Sequence, residues 1–304
     1  MGHDHHHHAH GASDAGDARI TGAIAVNVLL TVAQIAGGLV SGSLALIADG
    51  LHNLSDAASL IIAFVARRIG RRGSDATMTF GYRRIEIVAA LVNYTTLIVL
   101  GLYLAGQAVE RFFDPQPIDG WMVVWIAGFA LVVDVVTALL TFALAKESMN
   151  IRAAFLHNVA DALGSVGVIV AGTLVILFGW WVIDPIVTLA ISGYILWMSF
   201  AEIGGVIRIL MLGSPPGIAT EDVLAAVRTV DGVDNVHRAR FWQVHEEAYA
   251  FDAHIVVLGG AWGEADAIKT RVKTLLADRF EIHQSTLELE CAAHACDPAP
   301  TIGT

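Results

Sequence analysis

One apolar stretch with polar residues at its centre constrains the fold more than any other feature of the chain. The stretch Ser43–Arg68 is apolar enough to cross a bilayer, yet it carries Asp49, His52 and Asp56 near its middle. On a helix, offsets of three and four residues place these side chains on one stripe, while Leu and Ile cover the rest of the circumference. A carboxylate at the centre of a membrane helix costs roughly 2.5 to 3.5 kcal/mol, so we expect the stripe to face protein or water and to line an ion or proton pathway.

A second apolar stretch, Met149–Phe178, repeats this chemistry. His157 and Asp161 are four residues apart, as are His52 and Asp56. If the two helices pack face to face, two imidazoles and two carboxylates converge, which is a complete tetrahedral ligand set for a divalent ion, Zn²⁺ above all. The alternative is that each His only joins helices through hydrogen bonds. Two matching pairs in separate spans favour the metal site.

The composition places most of the chain in a membrane. Of the 304 residues, 55% are hydrophobic and 15% are charged, and the mean hydropathy is +0.62. These values lie well outside the range of soluble domains. The formal net charge of -11 argues against nucleic acid as a partner. Only the part after about Gly213 returns to a soluble composition, so we expect two domains.

The apolar segments predict an α-helical membrane protein with six transmembrane helices. Arginines concentrate in the loop between the second and third segments, so the positive-inside rule places both termini in the cytoplasm. Asp134, near the middle of the fourth segment, is a candidate proton relay or neighbour of the metal ligands, and a helix-bonding role is equally consistent. The predicted spans are Ile20–Val40, Ser43–Arg68, Ile85–Arg111, Trp121–Ala145, Met149–Phe178 and Val182–Ile207.

The soluble part follows a Ser-Pro-Pro-Gly boundary at residues 214–217. Its periodicity predicts the order αββαβ, which is typical of a small, ferredoxin-like α+β domain with helices on one face of the sheet. The predicted elements are a helix at Thr220–Val230, strands at Val236–Val244 and Ala248–Leu258, a helix at Glu264–Phe280 and a strand at Ile282–Glu290. The domain bounds are therefore an arm at 1–18, a membrane domain at 19–212, a cytoplasmic domain at 213–292 and a tail at 293–304.

The N-terminal arm and the cysteines carry weaker signals. Six of the first ten residues are His, in the interrupted run MGHDHHHHAH. We expect a disordered, loosely chelating arm, with a purification tag as the alternative. The segment lacks the pattern of a cleaved signal peptide, so we expect the first span to remain. The only thiols are Cys291 and Cys296, which exclude a disulfide framework.

These motifs together resemble the cation diffusion facilitator family of zinc transporters, from about Arg19 to Glu290. The resemblance rests on SGSLALIADGLHNLSDA, FGYRRIEIVAALVN, AAFLHNVADALGSVGVIVAG and WVIDPIVTLAISGYIL. It implies a homodimer with a metallochaperone-like cytoplasmic domain, and transport ligands at His52, Asp56, His157 and Asp161. A His at the first ligand position resembles zinc-preferring members. Asp49 is not part of that motif, and we expect it beside the ligands or in the wall of an outer gate.

The resemblance also implies a metal site in the cytoplasmic domain. His237 and His254, seventeen residues apart, His283 and Glu290 match the spacing of ligands in some zinc transporters. The alternative is that these histidines are ordinary strand residues on a solvent face. The tail resembles a thiolate-bearing segment that completes a second ion in such relatives, and its candidate ligands are Cys291, His294 and Cys296.

Two departures from the family pattern qualify these expectations. Arg240 occupies a position, two residues before Trp242, where the family often has a further His, so we expect lower metal occupancy of the cytoplasmic domain. Some bacterial members bind metal in the loop between the second and third spans. This loop has Asp75 and no His, so we predict no metal site there.

The ligand chemistry predicts a transporter and not an enzyme. Metal binding needs neutral His and ionised Asp, so an ion and protons compete for one site. The family resemblance implies metal-for-proton exchange by alternating access, and we therefore expect Zn²⁺/H⁺ antiport out of the cytoplasm. Alternatives are a broader Cd²⁺, Co²⁺, Ni²⁺ or Fe²⁺ exporter, a membrane-tethered metal sensor, or an intramembrane metalloenzyme, which would need an open coordination position and a general base. The expected partners are the bilayer of a bacterial inner membrane, divalent ions, protons and a second copy.

Overall fold

The computed structural model describes residue 26 and residues 28–144, 149–245, 248–296 and 299–303. The chain divides into two compact units. One unit combines the chain up to Ile62 with Val92–Ala201, and the other combines Ala63–Leu91 with the chain from Glu202 onward. The predicted His-rich arm lies outside the described residues. The domain bounds drawn from the sequence stay predictions.

Six helices account for most of the chain between residues 28 and 210. Four of them, α3 to α6, contain stretches that are long and apolar enough to cross a membrane. The described part of α1 is shorter, and α2 carries the polar residues that lower its hydropathy, so the count of six spans stays a prediction. The bounds are α1 Val28–Ser41, α2 Leu44–Gly70, α3 Ile85–Phe113, α4 Gly120–Leu144, α5 Met149–Phe178 and α6 Ile183–Leu210.

Large apolar side chains on the outer surface of these helices are consistent with a lipid environment. On α4, Trp125, Phe129 and Leu139 are 74%, 57% and 64% exposed. A contiguous apolar surface of this kind is rare on soluble monomers. The helices instead bury small and polar residues between them, as membrane bundles do when packing and hydrogen bonds hold the helices together.

The α1–α2 turn is held by residues from two other helices. The carboxylate of Asp184, at the start of α6, accepts hydrogen bonds from Ser43 Oγ (2.5 Å), Leu44 N–H (2.8 Å) and Ala45 N–H (3.3 Å). These bonds satisfy amides at the start of α2 that have no partner within the helix. Arg111, near the end of α3, donates to the carbonyl of Gly42. The start of the helix that carries His52 is therefore fixed.

The C-terminal part has the predicted order αββαβ. Strand β1 pairs with β2 antiparallel and β2 pairs with β3 parallel, in the order β1-β2-β3. Alternate residues of β2, including Phe251 and Ile255, join a core with α7 and α8, while His254 lies on the opposite face. The bounds are α7 Thr220–Arg228, β1 Val233–His245, β2 Ala248–Val257, a 3₁₀ turn Trp262–Glu264, α8 Ala265–Phe280 and β3 Gln284–Cys291.

The loop between α2 and α3 belongs to the same compact unit as the α+β domain. Arg84 Nε donates to the Val244 carbonyl of β1 (2.9 Å), and the neighbouring Gln243 N–H donates to the Gly213 carbonyl (3.1 Å). Within the loop, Asp75 accepts hydrogen bonds from Thr77 and from Tyr82 Oη. Asp75 therefore organises the loop.

Candidate metal centres

Three of the four predicted transport ligands converge between α2 and α5. His52 Nε2 lies 3.2 Å from Asp161 Oδ1 and 3.8 Å from Asp56 Oδ2. The three potential ligand atoms all lie within 4.8 Å of one another. Helix α2 supplies His52 and Asp56 one turn apart, and α5 supplies Asp161. The backbone of His157 lies in α5, one turn before Asp161, but its side chain is outside the described residues.

The walls of this cluster include a residue that the sequence had not singled out. Tyr194 of α6 meets the His52 ring edge to face, with 6.1 Å between ring centroids and 81° between ring planes. A Tyr in an apolar helix has no distinctive spacing, so only the packing of α6 beside α2 could reveal it.

Asp49 and Asp134 lie outside the converging set, and both are buried. Gln34 of α1 donates from Nε2 to Asp49 Oδ2 (2.6 Å) and accepts at Oε1 from Asn53 Nδ2 (2.9 Å). Ser165 Oγ of α5 donates to Asp134 Oδ2 of α4 (3.0 Å). Each carboxylate thus joins two helices, which for Asp134 is the alternative that the sequence left open. A proton-relay role stays a prediction.

A second cluster lies on the sheet face that the helices leave uncovered. His237 of β1 is paired in register with His254 of β2, and Glu290 comes from β3. His254 Nδ1 is 2.6 Å from Glu290 Oε1, and His237 Nε2 is 3.2 Å from Glu290 Oε2. Cys296 of the tail places Sγ 3.3 Å from Glu290 Oε1. Potential ligand atoms of these four residues lie within 4.8 Å of one another.

The donor set of this cluster fits a zinc ion. Imidazole nitrogen, carboxylate oxygen and thiolate sulfur are the ligands of tetrahedral zinc. His237 is 3% exposed, and its Nε2, although near Glu290, makes no hydrogen bond of acceptable geometry to the described residues. A buried polar nitrogen left without a hydrogen bond costs free energy, and a coordinated cation would satisfy it.

The electrostatics of the cluster centre on Glu290. Burial raises the pKa of Glu290, but hydrogen bonds from His254 and from the amide and thiol of Cys296 outweigh it and hold the pKa below its ordinary value. Glu290 is therefore ionised at neutral pH, as a metal ligand must be. The hydrogen bond to this carboxylate raises the pKa of the Cys296 thiol. A cation between the two groups would attract the Glu290 carboxylate and favour the ionised form of the Cys296 thiol.

The structure does not bring the remaining predicted ligands into this cluster. His283 is exposed and precedes β3. At about 3.3 Å per residue, it lies about 23 Å along the chain from Glu290. Cys291 and His294 form a separate exposed contact, with 3.0 Å between Sγ and Nδ1. Cys296 is the fourth member of the group in place of His283. Arg240, which stands where the family often has a His, pairs with Asp252 (3.0 Å).

The apolar helices enclose a cluster of His and Asp, and the chain also carries an α+β domain with a second donor cluster. This combination defines an integral membrane protein of the cation-transporter class. A family model described as the cation efflux transmembrane domain matches residues 20–211, and one described as the cation efflux protein, cytoplasmic domain, matches residues 215–291. The chain therefore belongs to the cation efflux family, as the sequence motifs predicted. It is a transporter and not an enzyme.

Curated relatives cover almost the whole chain. A protein from Pectobacterium atrosepticum named zinc transporter ZitB is 35% identical over 95% of this chain and 89% of its own length. A cadmium, cobalt and zinc/H(+)-K(+) antiporter from Bacillus velezensis is 31% identical over 98% of this chain and 94% of its own length. Among solved structures, the metal-bound C-terminal domain of the CzcD transporter from Cuprividus metallidurans matches 24% of this chain and 99% of that domain, at 22% identity and a TM-score of 0.23.

Proposed function

We propose that the chain exports Zn²⁺ from the cytoplasm in exchange for protons by alternating access, with His52, Asp56, His157 and Asp161 as ligands of the transported ion. The observation that carries this proposal is the convergence of potential ligand atoms from α2 and α5 to within 4.8 Å. The name of the relative from Pectobacterium atrosepticum supports zinc as the cargo. We place the protein in a bacterial inner membrane as a homodimer, with both termini in the cytoplasm.

The geometry of the cluster supports a coupling between metal and protons. His52 Nε2 lies between Asp56 and Asp161, so a protonated imidazole forms an ion pair with each carboxylate. A metal ion needs the same nitrogen without its proton, and its arrival from the cytoplasm releases that proton. Protons entering from the outer side reverse this exchange and release the metal. Asp49 and Asp134, buried in neighbouring networks, are the proposed proton carriers.

The same site is suited to release its cargo. Two imidazoles and two carboxylates bind zinc less tightly than the four thiolates of a structural site. Gln34 donates a hydrogen bond of 2.6 Å to Asp49, one turn before His52, and Gln34 itself accepts a bond of 2.9 Å from Asn53. These hydrogen bonds fix Asp49 and thereby keep the next turn of α2, which carries His52, in place while ions exchange.

The proposal extends to a resident zinc ion in the cytoplasmic domain. His237, His254, Glu290 and Cys296 would hold it, since their ligand atoms converge and the buried His237 Nε2 makes no hydrogen bond within the described part of the chain. A bound ion would supply a crosslink between all three strands and the tail.

A transport assay with a matched control tests the export proposal. We expect zinc to accumulate in sealed inverted vesicles under an imposed proton gradient, and Asp161→Ala to reduce the initial rate at least about tenfold, the effect of roughly 1.4 kcal/mol of lost binding. Asp114→Ala, which removes an exposed carboxylate outside the cluster, serves as the control and should retain the wild-type rate. Equal rates for Asp161→Ala and the wild type would refute the site. If the protein binds zinc but neither the wild type nor a variant accumulates it in the vesicles, the alternative of a membrane-tethered metal sensor would be favoured.

An exporter of several divalent metals is the second candidate function, because the relative from Bacillus velezensis is named for cadmium and cobalt as well as zinc. Competition by Cd²⁺ or Co²⁺ in the same vesicles distinguishes the two. A zinc-selective exporter should keep most of its zinc flux in equimolar Cd²⁺, whereas a broad exporter should lose about half.

A further inference from the structure

The C-terminal tail pairs with β1 beside a proposed metal ligand. Arg238 N–H donates to the Pro300 carbonyl (2.8 Å) and Ala239 N–H to the Thr301 carbonyl (3.0 Å). Gly303 N–H donates back to the Ala239 carbonyl (3.0 Å), which completes a short parallel bridge. Since β1 is at the edge of the described sheet, the tail extends that sheet by a short segment.

Strand β1 is irregular at the point where the tail binds. Its register with β2 shifts between His237 and Arg240, and Arg238 has a positive φ of 49°. Such a bulge interrupts the ladder and redirects the neighbouring side chains. His237 consequently reaches the donor cluster, while the amides of Arg238 and Ala239 point outward. The tail supplies the acceptors that these amides would otherwise lack.

The same tail carries Cys296 over the cluster. The Cys296 amide donates to Glu290 Oε2 (3.1 Å), and its thiol lies 3.3 Å from Glu290 Oε1. We call residues 292–303 the tail strap. Its described parts leave β3 at Cys291, contact Glu290 through Cys296, and end on the β1 bulge next to His237. Both sides of the donor cluster are therefore in contact with the strap.

We propose that the tail strap is a metal-dependent clasp that sets the affinity of the cytoplasmic site for a thiophilic divalent cation. The proposal rests on the cytoplasmic site described under the proposed function. A cation held by His237, His254, Glu290 and Cys296 fixes one end of the strap. The backbone bonds at Arg238 and Ala239 fix the other end and keep Cys296 over the site. Thermodynamic linkage makes the two effects reciprocal. If the strap contacts with β1 raise the affinity for the metal, then bound metal stabilises those contacts by the same free energy.

Cobalt binding to the full-length protein in lipid nanodiscs tests the clasp. In a Cys291→Ser background, Cys296 is the only thiol in the chain, so the near-ultraviolet thiolate-to-Co²⁺ band reports this site alone. Gly303→Pro removes the Gly303 amide and cannot adopt its φ of +82°. A chain that ends at Pro298 removes all three strap bonds. We expect both changes to raise the Co²⁺ concentration at half-saturation about tenfold, within the usual range of coupling between sites.

The control is Thr301→Ala, which removes an exposed side chain and keeps every backbone bond, so its titration should match the parent. Hydrogen exchange supplies the reciprocal measurement. Zinc should slow exchange at the Arg238 and Ala239 amides in the parent, and Cys296→Ser should abolish that slowing. A thiolate band whose midpoint is the same in the parent and in both strap variants would overturn the clasp and leave the metal site standing. An absent band in the parent would overturn Cys296 as a ligand, and the clasp with it.

Discussion

At the residue scale, the two donor clusters differ in how their histidines are supported. His52 lies between two carboxylates of the membrane helices, where the proposed exchange of a metal ion for a proton would take place. His237 is buried against one carboxylate that is already closely paired with His254. The first arrangement suits exchange of ions and protons, and the second suits retention of an ion, since the thiol of Cys296 adds a stronger zinc ligand.

Substitution of His237 and of His283 tests which histidines bind zinc in the cytoplasmic domain. The sequence spacing predicted both as ligands, whereas the structure places only His237 in the cluster. We expect His237→Ala to abolish stabilisation by zinc, because it removes a buried ligand. His283→Ala should retain it, because His283 is exposed and distant from the cluster. At about 100 times its Kd, zinc adds about 2.7 kcal/mol to the free energy of unfolding. Thermal unfolding of each variant with and without a chelator measures the stabilisation by zinc. Loss of this stabilisation in His283→Ala would favour His283 as a ligand, as the sequence spacing predicted.

At the element scale, close helix packing positions the membrane cluster. Helices α4 and α5 meet at Gly120 and Gly172, where a Cβ on Gly172 would lie 2.9 Å from Val124 Cγ2 and 3.1 Å from the Gly120 carbonyl. Small residues at such a contact let the helix backbones approach closely. The same helix α5 carries Asp161, so its distance from the neighbouring helices bears directly on the geometry of the site.

A pair of glycine substitutions tests this contact. Gly172→Leu should destabilise the protein by about 1 to 3 kcal/mol, because the side chain overlaps the backbone of α4. Gly128→Leu on α4 is the matched control, since nothing lies within 4 Å of its Cβ position. Thermal unfolding in detergent compares the two. Equal stability of the variants would contradict the close approach of α4 and α5.

The loop between α2 and α3 has a predictable pH dependence. Hydrogen bonds from the Thr77 side chain, the Tyr82 hydroxyl and the backbone amides of Met78 and Thr77 hold the pKa of Asp75 well below its usual range. A depressed carboxyl pKa contributes stability that is present above the unfolded value and is lost only as pH falls through the folded value. Hydrogen exchange at the Thr77 and Met78 amides, corrected for the intrinsic rate, should therefore stay protected down to about pH 4. Asp75→Ala should remove the protection at every pH.

At the scale of the whole molecule, the chain combines a membrane site for exchange with a domain suited to hold metal. The family models match these two parts separately, over residues 20–211 and 215–291. The proposed cargo site between α2 and α5 assigns transport selectivity to the first part. The proposed resident site assigns metal retention to the second part, where Cys296 provides the sulfur that the membrane cluster lacks.

A change of one membrane ligand should alter the selectivity of the whole transporter. In His52→Asp, a carboxylate replaces the imidazole that favours zinc, so we expect zinc transport to fall and the ratio of Cd²⁺ to Zn²⁺ rates to rise several-fold. Initial rates in inverted vesicles measure both ions. The parallel His237→Ala variant changes only the cytoplasmic site and should leave the ratio unchanged. An unaltered ratio of Cd²⁺ to Zn²⁺ rates in His52→Asp would show that His52 does not determine the metal selectivity.

The sequence by itself determined the class of protein and the matching spacing of His and Asp in α2 and α5, whose role as transport ligands stays a prediction. Long apolar segments predicted the four helices that are long enough to cross a membrane, and a four-residue spacing predicted that His52 and Asp56 share one helix face, because both effects are local. The αββαβ order also followed from local patterns. The motifs of α2 and α5, together with FGYRRIEIVAALVN and WVIDPIVTLAISGYIL, predicted the family.

Only the tertiary structure decided which distant side chains meet. Strand alternation and the start of β3 at Gln284 exclude His283 from the cluster, while the path of the tail brings in Cys296. The Tyr194 ring beside His52 and the capping of α2 by Asp184 depend on how α6 packs. Spacing along a chain cannot reveal such contacts, because they arise from the packing of elements that are far apart in sequence.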